Sequence, residues 1–281
     1  MIGDVRKPIP TGWKNVDQIV GGGLGGGEIG TIVGPTGVGK SRGLVNLGKN
    51  AVKAGYSVVH FSLELSEKYL GKVYDSSFIE MPLDQLPNNK EKIKDMLEAL
   101  KPKLIIKSFP TKSASALTIR NHLSRLKMKG TLPDLVLVDY ADIMRSTRNY
   151  RDKRFEHESI YEDLRALAME LNVPIWTCSQ ANRASLDEEV ISLSRIAESY
   201  AKATVADLII TMSKTNFYVA KNRFGPSNVI FPINNNTEIA NIEVFDQASE
   251  KDLPTLGEMS DLEKETYRRK VQNFLSETRG N

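Results

Sequence analysis

The sequence predicts an α/β protein with a mostly parallel central sheet flanked by helices on both faces. Three observations carry that expectation. Short apolar runs alternate with stretches of helical periodicity along most of the chain. A glycine-rich loop from Gly34 to Ser41 separates one such run from a helix pattern. A further run, Leu135-Val136-Leu137-Val138, ends on an acid, Asp139. Runs without a polar face suit strands buried in a parallel sheet, where crossover helices cover either side.

Taken in order, residues 1–27 read as turn-rich and end in the glycine run 21–27. Ile29–Val33 is the first expected strand, and the helix after the glycine loop carries Leu44, Leu47 and Val52. Ser57–Leu63 reads as a strand and Ser66–Met81 as a helix. Asn88–Leu100 is a second helix, with Ile93, Met96, Leu97 and Leu100 spaced for one face. Leu104–Phe109 is a strand, and Ser113–Lys129 a helix carrying Leu117, Leu123 and Leu126. After Leu135–Val138 come a basic segment and a helix from about Ser159 to Leu171. Val173–Cys178 and Ala206–Met212 are expected strands. Asn216–Lys221 and Asn228–Ile233 form a hairpin around Arg223-Phe224-Gly225-Pro226, adding antiparallel strands at one edge. The core is expected to end at residue 246, and 247–281 to form a tail. There Ser260-Asp261-Leu262-Glu263 is a capping-box pattern opening an amphipathic helix with Tyr267, Val271, Phe274 and Leu275 on one face. That stripe docks either on the chain's own core or on a neighbour.

At 281 residues the chain can bury a substantial core. A net charge of only +3 leaves any nucleic-acid contact to a local basic patch rather than a global field. The single cysteine, Cys178, excludes an intramolecular disulfide and suits a reducing compartment. No apolar run approaches the ~20 residues that cross a bilayer, and the opening residues lack the apolar stretch of a signal peptide. The expected location is the cytoplasm of a bacterial or phage-infected cell. His60, His122 and His157 show no metal-ligand spacing.

Gly34-Pro35-Thr36-Gly37-Val38-Gly39-Lys40-Ser41 fits G-x-x-x-x-G-K-[ST] in full, between a strand and a helix. In such a loop the backbone N–H groups and the helix N-terminus face the phosphates of ATP. Lys40 is placed to reach the β- and γ-phosphates, and the Ser41 hydroxyl to ligate Mg²⁺. The ion also needs a carboxylate at the tip of a neighbouring strand, and Asp139 supplies one. Hydrolysis needs a base for the attacking water. Glu64 and Asp142 are the candidates, and Glu64 is favoured as the tip of a strand expected beside the phosphate-loop strand.

Several further blocks are specific in order and spacing. They are Pro10-Thr11-Gly12, Ser62-Leu63-Glu64-Leu65-Ser66, Val138-Asp139-Tyr140 and Leu171-Asn172-Val173-Pro174. Ser179-Gln180-Ala181-Asn182-Arg183 and Val219-Ala220-Lys221-Asn222-Arg223-Phe224-Gly225-Pro226 follow. With these blocks the chain resembles, from about Pro10 to Phe245, the C-terminal ATPase domain of DnaB-type replicative DNA helicases, a RecA-like P-loop NTPase fold. The resemblance implies that Glu64 is the catalytic base and that Gln180 senses the γ-phosphate and relays it to DNA loops. It implies that Lys221 and Arg223 reach into the neighbouring subunit's ATP, so that the active species is a hexameric ring with primase or other replication proteins as partners. The chain opens close to the ATPase core, without the family's N-terminal collar, as a compact bacteriophage version would. Arg145, Arg148, Arg151, Lys153 and Arg154, with Tyr150 among them, fall where the family places a loop facing the central channel. Five cations in ten residues suit a phosphate backbone and an aromatic can stack on a base, although such a run also suits a solvated loop. Leu193–Tyr200 matches the family's second DNA loop only loosely, without a lysine.

Three functions fit these features. The first is a ring helicase moving 5′ to 3′ on single-stranded DNA, and the second a RecA-like recombinase filament. The third is a non-motor ATP-binding assembly factor acting through its tail. A small-molecule phosphotransferase is disfavoured, because no lid-like arginine segment or acceptor pocket is visible.

Overall fold

A computed structural model describes residues 6–100, 103–182, 185, 188–192 and 204–246. The capping-box tail and Leu193–Tyr200 lie outside the described residues. Nine strands among those described form one sheet: β1 Ile29–Gly34, β2 Val58–Ser62, β3 Leu104–Ser108, β4 Leu135–Asp139, β5 Ile175–Gln180, β6 Leu208–Met212, β7 Asn216–Asn222, β8 Val229–Asn236 and β9 Asn241–Val244. Their spatial order is β3-β2-β4-β5-β1-β6-β7-β8-β9. The strands from β3 through β6 in that order run parallel, and β7, β8 and β9 are antiparallel.

The helices are α1 Lys14–Ile19, α2 Lys40–Lys53, α3 Glu67–Ile79, α4 Lys90–Ala99, α5 Ala116–Met128 and α6 Lys153–Leu171. Their starts follow from short polar side chains. The Ser66 hydroxyl accepts from the Tyr69 N–H, Ser115 and Thr118 form a reciprocal capping box, and Asp152 accepts from the Arg154 N–H. Every residue of β1, β2 and β4 is buried, as strands covered on both faces must be, whereas β3 at the edge is only half-buried. Leu44 and Leu47 of α2 join a core with Ile32, Leu137, Trp176, Cys178 and Ile210 from the sheet. No helix among the described residues is long and apolar enough to cross a membrane.

Four details differ from the sequence expectations. Residues 14–19 are helical, and Trp13 before them donates its indole N–H to the Ile242 carbonyl at 3.0 Å. The expected hairpin gains a third strand, β9. It is four residues long, too short to register as a pattern, and α2 holds it. Asn46 bonds the Ala240 carbonyl and the Ile242 N–H at 2.9 and 3.1 Å, and Lys49 donates to Asn241 Oδ1 at 2.6 Å. α6 begins at Lys153, six residues ahead of the expected Ser159, because the Asp152 cap starts a turn too charged to show an apolar period. Finally, the strands carrying Asp139 and Glu64 are not next to β1. β5 lies between β4 and β1, and β2 is one place further out. Crossover helices carry the chain over intervening positions, so sequence order does not fix adjacency.

Candidate functional site

At the C-terminal end of β1 the chain turns through the glycine loop into α2. Gly39, at φ 101°, takes a left-handed conformation that a side chain would strain, and it N-caps α2 without any side-chain partner. The first N–H groups of α2 are thus left for an anion. Neighbouring strands brace the loop. Asn235 at the end of β8 donates to the Val38 carbonyl at 2.8 Å and accepts from Arg42 at 2.6 Å. Gln180 at the tip of β5 donates to Thr36 Oγ1 at 2.6 Å, so the residue expected to sense the phosphate touches the loop that would hold it. Lys40 rests on the Pro35 carbonyl at 2.8 Å. Burial pushes its ammonium below the ordinary value, against the pull of Cys178, Asp139, Glu64 and Asp142 nearby.

Asp139 ends β4 fully buried, and neither carboxylate oxygen has a hydrogen-bond partner. Burial raises its pKa to about 6 and Glu64 adds to the rise. The Ser41 hydroxyl and Lys40 oppose it, the hydroxyl from a position that does not complete a bond. A buried carboxylate left bare beside a serine hydroxyl fits a divalent cation, which needs oxygen ligands and neutralises the charge that burial penalises. Asp139 and Ser41 are the residues present that fit Mg²⁺.

Glu64 lies just past β2, exposed and without a hydrogen bond or ion pair among the described residues. Its strand pairs with β4 rather than β1: Ser62 faces Asp139 in register, and the Leu63 N–H donates to the Asp139 carbonyl at 2.7 Å. The two acids therefore emerge side by side. Asp142 is already engaged. One of its oxygens accepts from Tyr161 Oη at 3.0 Å, and the other from Ser179 Oγ and the Gln180 N–H, each at 3.0 Å. Such a carboxylate is a strut under Gln180, not a free base.

Lys221 and Arg223 stand at the other end of the sheet. Leu208 pairs with both Gly30 and Asn222, which places the end of β7 beside the start of β1. Five residue steps along β1, ~17 Å, separate that end from Gly34. The structure does not bring either cation to the phosphate loop of its own chain. Arg223 Nη1 donates to Asp207 Oδ1 at 2.7 Å, and Lys221 Nζ to the Thr204 carbonyl at 3.2 Å. Burial lowers the Lys221 pKa and Arg223 lowers it further.

Arg145, Arg148, Tyr150, Arg151, Lys153 and Arg154 are all exposed, and none of the five cations forms an ion pair among the described residues. Lys153 and Arg154 belong to the first turn of α6 rather than to a loop. Phe155 beside them is also exposed, an aromatic the sequence pattern did not single out. Asn235, Arg42 and Asp207 were missed as well. Only Asp207 left a trace, as an acid directly preceding an apolar run.

A family model described as the DnaB-like helicase C-terminal domain matches residues 8–250. The chain is 29% identical over 243 residues to the DnaB-like replicative helicase of Enterobacteria phage T4, covering 79% of this chain and 51% of that protein. It is 24% identical over 243 residues to the replicative DNA helicase DnaB of Leifsonia xyli subsp. xyli, covering 79% and 53%. The chain thus spans about half the length of the curated relatives it matches. Among solved structures, an isolated ATPase domain superposes with a TM-score of 0.74 at 19% identity, covering 86% of this chain and 93% of that one. A DnaB-like replicative helicase, solved for its interactions with primase, gives 0.73 at 18% identity, covering 86% and 63%. At those identities the structural likeness is one of fold.

Proposed function

Because the chain belongs to the DnaB-like helicase C-terminal domain family, we propose that it is the motor of a replicative DNA helicase. It hydrolyses ATP between subunits of a hexameric ring and moves 5′ to 3′ on single-stranded DNA. One observation carries this: the phosphate loop, Asp139, Glu64 and Gln180 share one end of the sheet, while Arg223 stands at the other. A site lacking its arginine within the chain is completed by a neighbour's, as a ring of like-oriented subunits provides.

In this scheme the loop N–H groups and Lys40 bind the β- and γ-phosphates. Ser41 and Asp139 hold Mg²⁺, which when bound neutralises charge on the phosphate oxygens. Glu64 orients a water toward the γ-phosphorus and accepts its proton. Gln180 follows the γ-phosphate through the Thr36 side of the loop. Arg223 of each subunit, with Lys221 beside it, stabilises charge on the phosphoryl group bound by the next. The exposed cations of 145–154 and Tyr150 line the path of the DNA strand. Primase is a proposed partner, since a helicase of this fold was solved for that interaction. The setting is the cytoplasm of a bacterial or phage-infected cell.

The test is the ATPase rate with and without single-stranded DNA, paired with the particle mass under ATP. A six-subunit mass and DNA-stimulated turnover are expected. An open-ended filament would favour a RecA-like recombinase, and DNA-independent turnover without strand displacement an assembly factor.

A further inference from the structure

At the end of the sheet away from the phosphate loop, one carboxylate gathers three elements. Asp207 is only 3% exposed. Its N–H donates to the Ile29 carbonyl at 2.8 Å and its Oδ2 accepts from the Ile29 N–H at 2.9 Å, which locks it to the first residue of β1. The same oxygen accepts from Arg165 Nη1 of α6 at 2.6 Å, and Arg165 also donates to the Val205 carbonyl at 2.7 Å. That leaves Oδ1, which takes Arg223 Nη1 at 2.7 Å, while the Asp207 carbonyl takes the Arg223 N–H at 3.0 Å.

Arg223 is therefore tethered twice, yet its side chain remains 48% exposed. Only one guanidinium nitrogen is used, and Nε and Nη2 have no partner among the described residues. A planar guanidinium held at one corner keeps its remaining donors in a fixed direction. The loop beyond it is seated too. Arg6 lies 3.8 Å above the Phe224 ring and pairs with Glu28, and Asn222 donates to the Ile19 carbonyl at 2.9 Å. A Cβ at Gly21 would come within 2.9 Å of Phe224, so the glycine run forms a seat for the Arg223 loop.

We infer that Asp207 is a positioning residue for Arg223: it fixes where that guanidinium stands when a neighbouring subunit presents its phosphates. The inference rests on Arg223 acting in trans, as proposed above. Arg165 and β1 hold Asp207 from two sides, so the direction of Arg223 is set by the sheet rather than by a mobile loop.

The experiment compares steady-state ATP hydrolysis by assembled Asp207→Asn, Arg223→Ala and the double variant. Asp207→Asn is expected to lower kcat at least tenfold with KM for ATP within about twofold of wild type, because the altered group serves the neighbour's site. The double variant should be no slower than Arg223→Ala alone, since Asp207 acts through Arg223. Mixed with Glu64→Gln subunits, Asp207→Asn subunits should regain turnover at interfaces pairing an intact Asp207–Arg223 with an intact Glu64. A folded Asp207→Asn protein of wild-type kcat, or losses that multiply in the double variant, overturns the inference while leaving the trans arginine in place. A wild-type rate in Arg223→Ala instead removes the reading on which it rests, and the inference with it. If Asp207→Asn does not fold, Arg165→Met decides: it frees Asp207 from α6 at a partly exposed position. A threefold or greater loss of kcat with the same mixing behaviour is expected, and an unchanged kcat overturns the inference.

Discussion

Asp139 and Asp207 are both buried carboxylates on the parallel sheet, one at each end. Asp139 has no hydrogen-bond partner, and burial lifts its pKa to about 6. Asp207 has two guanidiniums and a backbone N–H on its carboxylate. The contrast extends to their surroundings. Around Asp139, Lys40 touches only a carbonyl and Glu64 is unpaired among the described residues, whereas around Asp207 the cations Arg165 and Arg223 are engaged. A buried charge without a partner is expensive, so its retention marks a place where a ligand supplies one. A buried charge with every partner in place marks a joint that holds something else in position.

The largest expected effects break the ligand-facing end. Lys40→Ala should abolish hydrolysis and weaken nucleotide binding, because it removes the cation of the loop that faces the β- and γ-phosphates. Glu64→Gln should retain bound ATP and lose turnover by about 10²–10⁴-fold, the usual worth of a positioned base. Asp142→Asn, which loosens only the strut under Gln180, should cost about tenfold, or ~1.4 kcal/mol of barrier. Steady-state rates beside equilibrium binding of a fluorescent nucleotide separate these outcomes. Near wild-type turnover in Glu64→Gln with a collapse in Asp142→Asn would exchange the two roles.

The paired end should respond differently. Arg223→Ala should cut turnover by about 10³-fold, the lower range for such arginines, while one subunit binds ATP as before. Mixed with Glu64→Gln subunits it should regain activity wherever a good arginine meets a good base. Absence of any rescue in confirmed mixed rings would mean that the site is completed within one chain.

Stability measurements turn the contrast into opposite signs. In nucleotide-free protein Asp139→Asn should stabilise by on the order of 1–3 kcal/mol at pH 7, since it removes a charge that burial penalises. The sign follows from linkage. Asp139 has its folded pKa raised from 3.8 to about 6, so between those values the folded state binds more protons than the unfolded one. Its contribution therefore becomes less favourable as pH rises through that window and is fully adverse above it. Asp207→Asn removes the partner of two guanidiniums and should destabilise by roughly 3 kcal/mol, near the low end for a broken buried pair because Arg223 is half exposed. Urea melts at pH 5 and pH 7 test both. Destabilisation by Asp139→Asn in nucleotide-free protein would place a partner on that carboxylate.

How much of this was legible in sequence differs by end. Gly34–Ser41 is local: eight consecutive residues state their own geometry, and the apolar runs before Glu64 and Asp139 put both acids at strand tips. What sequence could not state was the distance between those tips. β2 and β4 pair with each other, and β5 separates them from β1, because register is set by packing and not by order in the chain. The paired end was nearly silent. Asp207 meets Ile29, 178 residues away in sequence, and Arg165, 42 away, so no short pattern contains that joint. Asn235 bracing Val38 across 197 residues escaped for the same reason.

The basic segment offers a third kind of charge, exposed and unpaired, and the smallest expected effects. Solvent already stabilises such cations, so their lack of partners does not by itself imply a ligand. What favours one here is density: Arg145, Arg148, Arg151, Lys153 and Arg154 gather around the start of α6 with Tyr150 and Phe155, and among the described residues no carboxylate is ion-paired to any of them. A helix start does not attract cations, because its free N–H groups favour negative charge, so Lys153 and Arg154 in the first turn run against the local preference. A phosphate backbone would relieve both them and the N–H groups. Arg148→Ala with Arg151→Ala should weaken binding to all single-stranded sequences alike and lower the salt slope by about 0.7 for each phosphate that is no longer neutralised. Basal hydrolysis should hardly change, because Asp139 and the glycine loop are untouched. Tyr150→Ala should weaken binding by roughly 1–3 kcal/mol with the slope preserved, if the ring stacks on a base. Fluorescence anisotropy with a labelled oligonucleotide over a salt series reads both quantities. An unchanged slope in the double arginine variant would make this segment solvated surface, and unpaired charge would then signal a ligand in this protein only where it is also buried.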